Sequence, residues 1–263
     1  MKTAILVLCC AILCGCEKSQ NNQNINVKTR LGNDGTVVDN DPANINDGEP
    51  AVPLIAPKRA ALQFGEGSSS TKRNIYMVFD GSGSMNNKLQ QGSNLQFKNK
   101  IAGAKWAVDE FMKTIPDDIN LGLFVFDAQG VREVVPLAAL DRAAFLAAIH
   151  DVRAAGGTPL GESIKAGVDA LMKKYQQQLG YGEYRLIVVT DGEASGESIG
   201  AAIQYAQDFG VPIYTIGLDV NEQHSLRANS RQFFSAKSFE ELKKGLIDSA
   251  AESESFDANE FSR

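Results

Sequence analysis

From Asn74 onward the apolar residues fall into two alternating kinds of run. Near-continuous stretches of strand length are NIYMVFD (74–80), NLGLFVFD (120–127), VREVVPL (131–137), YRLIVVTD (184–191) and VPIYTIGLD (211–219). Between them, apolar residues recur at three- and four-residue steps, the period of a helix with one core-facing stripe. Ile101, Ala104, Val108, Phe111 and Ile115, around Trp106, predict a first helix, and Phe145 and Ile149 mark a second. A third follows Pro159 through Ile164, Val168 and Leu171, and a fourth spans about 199–209. The last begins at Ser238, where S-F-E-E has the order of a capping box ahead of Leu242 and Leu246. Strands apolar on both faces and separated by helices predict an α/β, Rossmann-like fold: a mostly parallel sheet with helices on both faces. VREVVPL follows only a short turn, so it is expected as the one antiparallel edge strand.

Upstream of Asn74 the pattern dissolves. Residues 17–73 are rich in Asn, Asp, Gln and Gly, with apolar positions too sparse to form a face. The expected organisation is therefore a polar, flexible tether over 16–73, a domain over 74–252 and a disordered tail over 253–263. A tether of that length would have an end-to-end distance of roughly 40 Å. Its Asp-rich part lacks the ordered ligand spacing of an EF-hand loop.

In an open parallel sheet, ligands bind outside the carboxyl ends of the strands, where the strand order reverses. The polar groups just past those ends are Asp80, Ser82 and Ser84 after the first strand, Asp127 after the second and Asp191 after the fourth. Thr158, in AAGGTPLGES, joins them at the start of a helix. Carboxylates and hydroxyls are hard oxygen donors, suited to magnesium, calcium or manganese and not to zinc or copper. Three of the groups stand two residues apart, so a loop presenting alternate side chains would converge one carboxylate and two hydroxyls on one ion. Neutral hydroxyls leave such an ion much of its charge, available to an outside carboxylate. Taken singly the groups read differently: Thr158 before Pro159 has the order of a helix N-cap, Asp191-Gly192 that of a turn, and Asp127 either supports the site or starts the turn DAQG. Glu193 is expected at the rim.

Composition removes several function classes. The chain has 263 residues and a formal charge of -6, with basic residues dispersed, so it lacks the electrostatic footprint of a nucleic-acid binder. All four cysteines lie within the first sixteen residues, MKTAILVLCCAILCGC, which leaves no thiols for a disulfide framework or a cysteine metal site in the remainder. Residues 1–15 have a signal-peptide layout, with an apolar run too short to span a membrane. Leu13-Cys14-Gly15-Cys16 resembles the lipobox of bacterial lipoproteins. That resemblance implies cleavage before Cys16, lipid on Cys16 and a place in the bacterial cell envelope. With Glu17 and not Asp next in the chain, the outer membrane is favoured over the inner, the domain lying in the periplasm or at the cell surface.

DGSGSM, GGTPLG and VVTDG, in this order and each where a strand ends or a helix starts, resemble the three segments of a von Willebrand factor type A domain. The resemblance covers about 74–250, including FFSAKSFEELKKGL, which is similar to the strand and capped helix that close such domains. It implies that Asp80, Ser82, Ser84, Thr158 and Asp191 form a metal-ion-dependent adhesion site. A divalent cation there, magnesium first with calcium or manganese as alternatives, would complete its coordination with an acidic residue of a partner protein. The loop NNKLQQGSNLQFKNK is long for the family, and DVNEQHSLRANSRQ is a short, polar route to the last strand. No enzyme is expected: His150 and His224 have no partner motif, and no G-x-S-x-G, H-E-x-x-H or P-loop is present. The alternative to a metal-dependent binding module is a structural or assembly component of the envelope that needs no ion.

Overall fold

The computed structural model describes residues 58, 62–67, 70–90, 96–192, 197–220 and 223–251. The expected signal peptide, Cys16, most of the tether, Glu193 and the 253–263 tail lie outside them. Six strands form one sheet: β1 (Asn74–Asp80), β2 (Asn120–Asp127), β3 (Gly130–Ala139), β4 (Tyr184–Thr190), β5 (Ile213–Leu218) and β6 (Gln232–Ala236). Five helices accompany them: α1 (Lys100–Met112), α2 (Arg142–Asp151), α3 (Leu160–Gln177), α4 (Glu197–Asp208) and α5 (Phe239–Ala250).

The strand order is β3-β2-β1-β4-β5-β6, with every pair parallel except β2–β3. From β1 the chain builds outward to β2 and β3 on one side, then returns to β4 and builds outward on the other. The order therefore reverses between β1 and β4, the place where an open sheet leaves a crevice at its carboxyl edge.

Alternation along β1 divides the core in two. Ile75, Met77 and Phe79 pack with Ala104, Val108 and Phe111 of α1, Phe145 and Ile149 of α2, and Leu242 and Leu246 of α5. Tyr76 and Val78 pack on the other face with Ile164, Val168 and Leu171 of α3 and Ala202, Ile203 and Ala206 of α4. Each fully buried Leu, Ile or Phe contributes about 1.5–3 kcal/mol, so this double layer fixes the strand ends in space. Helix α5 lies so close to α1 that a Cβ on Gly103 would stand 2.2 Å from the Phe239 ring. Half of the expected capping box is formed, since Ser238 Oγ accepts from Glu241 N, while Glu241 Oε2 reaches one residue further back and accepts from Lys237 N in place of Ser238 N.

Several element ends shift by one or two residues, and two boundaries differ from the sequence-based expectation in ways that matter to the packing. The predicted tether ends too late, because Leu62 packs against the α3–α4 core, Phe64 stacks obliquely on Tyr175 and Lys58 pairs with Asp208 at 2.6 Å. Isolated apolar residues such as these have no periodicity to betray them. Strand β3 is longer than expected, running ten residues along the sheet edge. It passes through a register shift opposite Gly122, where a Cβ would stand 2.6 Å from the Tyr76 ring and 3.0 Å from Leu137 Cα. Pro136 falls in that irregularity, where a missing N–H costs little.

Candidate metal centre at the carboxyl edge of the sheet

Asp80 ends β1 and Thr190 ends β4, adjacent strands at the reversal point. Asp80 is fully buried, and both of its oxygens are engaged: Oδ1 accepts the Ser82 N–H at 2.7 Å and Oδ2 accepts the Thr190 hydroxyl at 2.6 Å. Burial pushes its carboxyl above the usual range, with the nearby Asp191 charge adding to the rise and hydrogen bonds from Ser82 and Thr190 opposing it.

The loop after Asp80 tightens into a single 3-10 turn, Gly83–Asn86. Ser82 Oγ and Ser84 Oγ thereby lie 3.0 Å apart, and Ser84 Oγ donates to Asp191 Oδ1 at 2.6 Å. Gly81 makes the turn possible, since a Cβ there would stand 2.7 Å from both Asp127 Cβ and Val152 Cγ1. A second loop is zipped against the first: Gly83 N donates to Gly156 O, Ala155 N to Gly81 O and Asn86 Nδ2 to Ala154 O. Gly156 takes φ +83, a left-handed turn that delivers Thr158 to the same place.

Thr158 does not cap α3. The helix begins at Leu160, Pro159 occupies the cap position without a side-chain bond, and only the Thr158 backbone carbonyl takes part, accepting from Leu160 N at 2.8 Å. The Thr158 hydroxyl instead faces the loop after β4, where a Cβ on Gly192 would stand 3.2 Å from Thr158 Oγ1. That hydroxyl makes no hydrogen bond among the described residues. The N-cap reading of Thr158 is thus corrected: the residue stands one position too far from the helix.

The structure gathers all five sequence-selected residues at one crevice: Asp80, Ser82, Ser84 and Asp191 through the contacts above, and Thr158 beside Gly192. Among the described residues no three His, Cys, Asp or Glu side chains assemble, so the donor set is two carboxylates and three hydroxyls. Such a set fits a hard dication and offers no soft ligand. Asp127, left open between support and turn, is a turn residue. It accepts from Gln129 N, Arg153 N and Arg132 Nη1, and despite the opposing effect of burial these hydrogen bonds hold its carboxyl below the usual range.

Three neighbours escaped the sequence reading. Lys100, the first residue of α1, reaches Asp191 Oδ2 at 3.0 Å and Asp219 Oδ2 at 3.4 Å. Asp219 directly follows β5 and Asp80 closes β1, so the strand-end rule could have selected it. Lys100 carried a different signal, a cation at a helix N-terminus, where the macrodipole disfavours positive charge. His224 Nδ1 accepts from Leu226 N, so Nε2 carries the proton and donates to Gly192 O at 3.0 Å. It supports the loop after β4, and sequence spacing gave no hint of it.

The family model described as von Willebrand factor type A domain matches residues 74–248. The chain is 26% identical over 202 residues to the collagen alpha-4(VI) chain of Mus musculus, a match covering 74% of this chain and only 8% of that one. Among solved structures it is similar to a von Willebrand factor type A protein from Catenulispora acidiphila, with a TM-score of 0.52 at 19% identity, covering 68% of this chain and 43% of the other. It is also similar to the manganese-loaded TRAP protein of Plasmodium vivax, with a TM-score of 0.51 at 16% identity, covering 69% and 74% of the two chains.

Proposed function

Because the chain belongs to the von Willebrand factor type A domain family, a family of protein-interaction and adhesion modules, we propose that it binds a partner protein through a divalent cation held by Asp80, Ser82, Ser84, Thr158 and Asp191. The observation that carries this reading is the Thr158 hydroxyl, which stands beside Gly192 with no hydrogen-bond partner among the described residues and takes no part in capping α3. A hydroxyl kept there for helix stability would be bonded to the helix. The manganese-loaded relative supports a divalent ion in a fold of this kind, and the donor chemistry favours magnesium, with calcium or manganese as alternatives.

When bound, the ion would supply a positively charged centre open to a carboxylate oxygen of the partner. The chain's own residues do the rest. Ser82 and Thr190 orient Asp80 by donating to its two oxygens, and Ser84 orients Asp191. Hydroxyl ligands keep the positive charge from being quenched before the partner arrives.

The reading includes no catalysis. His224 has both ring nitrogens engaged by the backbone, and His150 pairs with Asp109 between α1 and α2, so neither is offered to the crevice as a general base. The proposal places the domain in the bacterial cell envelope, anchored through lipid on Cys16, with the outer membrane favoured. Stable anchoring needs two or more acyl chains at about 0.8 kcal/mol per buried methylene, so Cys16→Ala should abolish both lipid labelling and membrane retention.

Crosslinking of the intact envelope with and without chelator tests the central claim. A partner that is captured with magnesium and lost with chelator, and lost equally in Ser84→Ala, supports it. A partner retained by folded Ser84→Ala and indifferent to chelator overturns it in favour of a metal-free structural component.

A further inference from the structure

Lys100 is an expensive residue in its position. Its ammonium sits in the first turn of α1, against the helix dipole, and its side chain is only 6% exposed. Its partners are equally withdrawn, Asp191 at 0% and Asp219 at 7% side-chain exposure. Asp219 adopts φ 58, a left-handed conformation uncommon outside glycine that aspartate tolerates better than most side chains. Its Oδ2 is further fixed by the Gln90 N–H at 3.0 Å, while the Lys100 N–H donates to Asn87 O. The long β1–α1 loop thus touches both members of the pair. Burial, dipole and backbone strain all oppose this arrangement, and a site that breaks several local rules together is usually maintained for function.

What the ammonium does is set by which oxygen it takes. Asp191 presents Oδ1 to Ser84 and Oδ2 to Lys100. Asp80 likewise has one oxygen on the Ser82 N–H and the other on Thr190. Neither carboxylate has both oxygens free to close on one ion. Calcium commonly takes carboxylates in bidentate fashion and seeks six to eight oxygens, whereas magnesium requires near-octahedral geometry with single oxygens.

We propose that the Lys100–Asp219 pair is a selectivity clamp, occupying Oδ2 of Asp191 so that this carboxylate can give an ion one oxygen only and calcium is disfavoured against magnesium and manganese. Lys100 is a positioning residue and not a ligand. The inference rests on the metal-binding reading above and adds to it a residue outside the five-residue set.

Calorimetric titration of the full chain with magnesium, manganese and calcium, each alone, tests it. Lys100→Met removes the ammonium but also adds net negative charge to the site. Lys100→Met combined with Asp219→Asn removes it at constant formal charge, so the double variant separates geometry from simple electrostatics. In the double variant calcium should bind roughly tenfold or more tighter than in wild type while magnesium changes by less than about threefold. An unchanged calcium-to-magnesium ratio in a double variant that is folded by circular dichroism and still binds magnesium overturns the clamp and leaves the metal reading standing. If wild type binds none of the three ions, the metal reading fails, and the clamp with it. Should the double variant not fold, Lys100→Met alone decides by the ratio of the two affinities. Its added negative charge tightens both dications, so a calcium-to-magnesium affinity ratio that rises several-fold supports the clamp and an unchanged ratio overturns it.

Discussion

Asn74 and Asn120, at the amino ends of β1 and β2, are buried, as are Asp80 and Asp191 beyond the opposite ends of β1 and β4. The two sets are treated in opposite ways. At the amino end Asn74 Nδ2 donates to Lys72 O and Glu183 O, its Oδ1 accepts from Asn120 Nδ2, and Asn120 donates onward to Gln178 Oε1. Arg73 and Arg185 donate to the carbonyls of Ala250 and Ser249 at the carboxyl terminus of α5, where the dipole welcomes a cation. At the carboxyl edge a lysine stands at the wrong end of a helix, an aspartate takes a left-handed backbone, a threonine hydroxyl has no partner among the described residues and a buried carboxyl is pushed upward. Polar burial at the amino end obeys the local rules, and polar burial at the carboxyl edge, where the proposed ion would sit, breaks them.

Substitutions at the two ends should separate the roles. The largest loss of stability is expected at the amino end. Arg185→Met would strip the α5 carbonyls and Glu183 of their partner and cost about 2–4 kcal/mol, read as a lower urea midpoint, with magnesium binding of the folded protein unchanged. Asp127→Asn comes next, at about 1.5–3 kcal/mol at neutral pH, because it removes a charged acceptor of three hydrogen bonds. Asp127 has its folded carboxyl held below the unfolded value of 3.8, so this stabilisation is present above pH 3.8 and is lost as pH falls through the folded pKa. The gap between wild type and Asp127→Asn should therefore close in acid unfolding curves. Asp80→Asn relieves the desolvation of a buried carboxylate and should change stability by no more than about 1 kcal/mol in either direction, while abolishing magnesium binding in calorimetry. Smallest of all, Thr158→Ala should shift stability by less than about 0.5 kcal/mol, since no cap is lost, yet weaken the ion. Thr158→Ser should restore the affinity. A drop of 1 kcal/mol or more in Thr158→Ala would return the residue to a capping role and blur the contrast between the two ends.

Much of this was legible in the sequence because strands and helices announce themselves by period. β1, β2 and β4 fall where their apolar runs place them, β4 ending one residue earlier, and β3 is the antiparallel edge that its short preceding turn required. Asp80, Ser82, Ser84 and Asp191 were visible because they follow strands, and strand ends are where an open sheet exposes its chemistry. Lys100 and His224 were not, since each reaches the crevice from an element whose distance to it depends on tertiary packing. Leu62 and Phe64 were hidden for a related reason: they pack singly, and a face of two residues has no period to detect.

The construction of β3 bears on how the molecule behaves in crowded surroundings. A ten-residue strand at a sheet margin is a ready template onto which a second chain could add its own backbone. Here the register shift beside Gly122, with Pro136 in it, bends the template, and Arg132 and Glu133 place charge along it. The far margin, β6, is only five residues long. Both flanks of the sheet are thus poor seeds for intermolecular β-pairing, so the fold guards itself against edge-to-edge association with other chains.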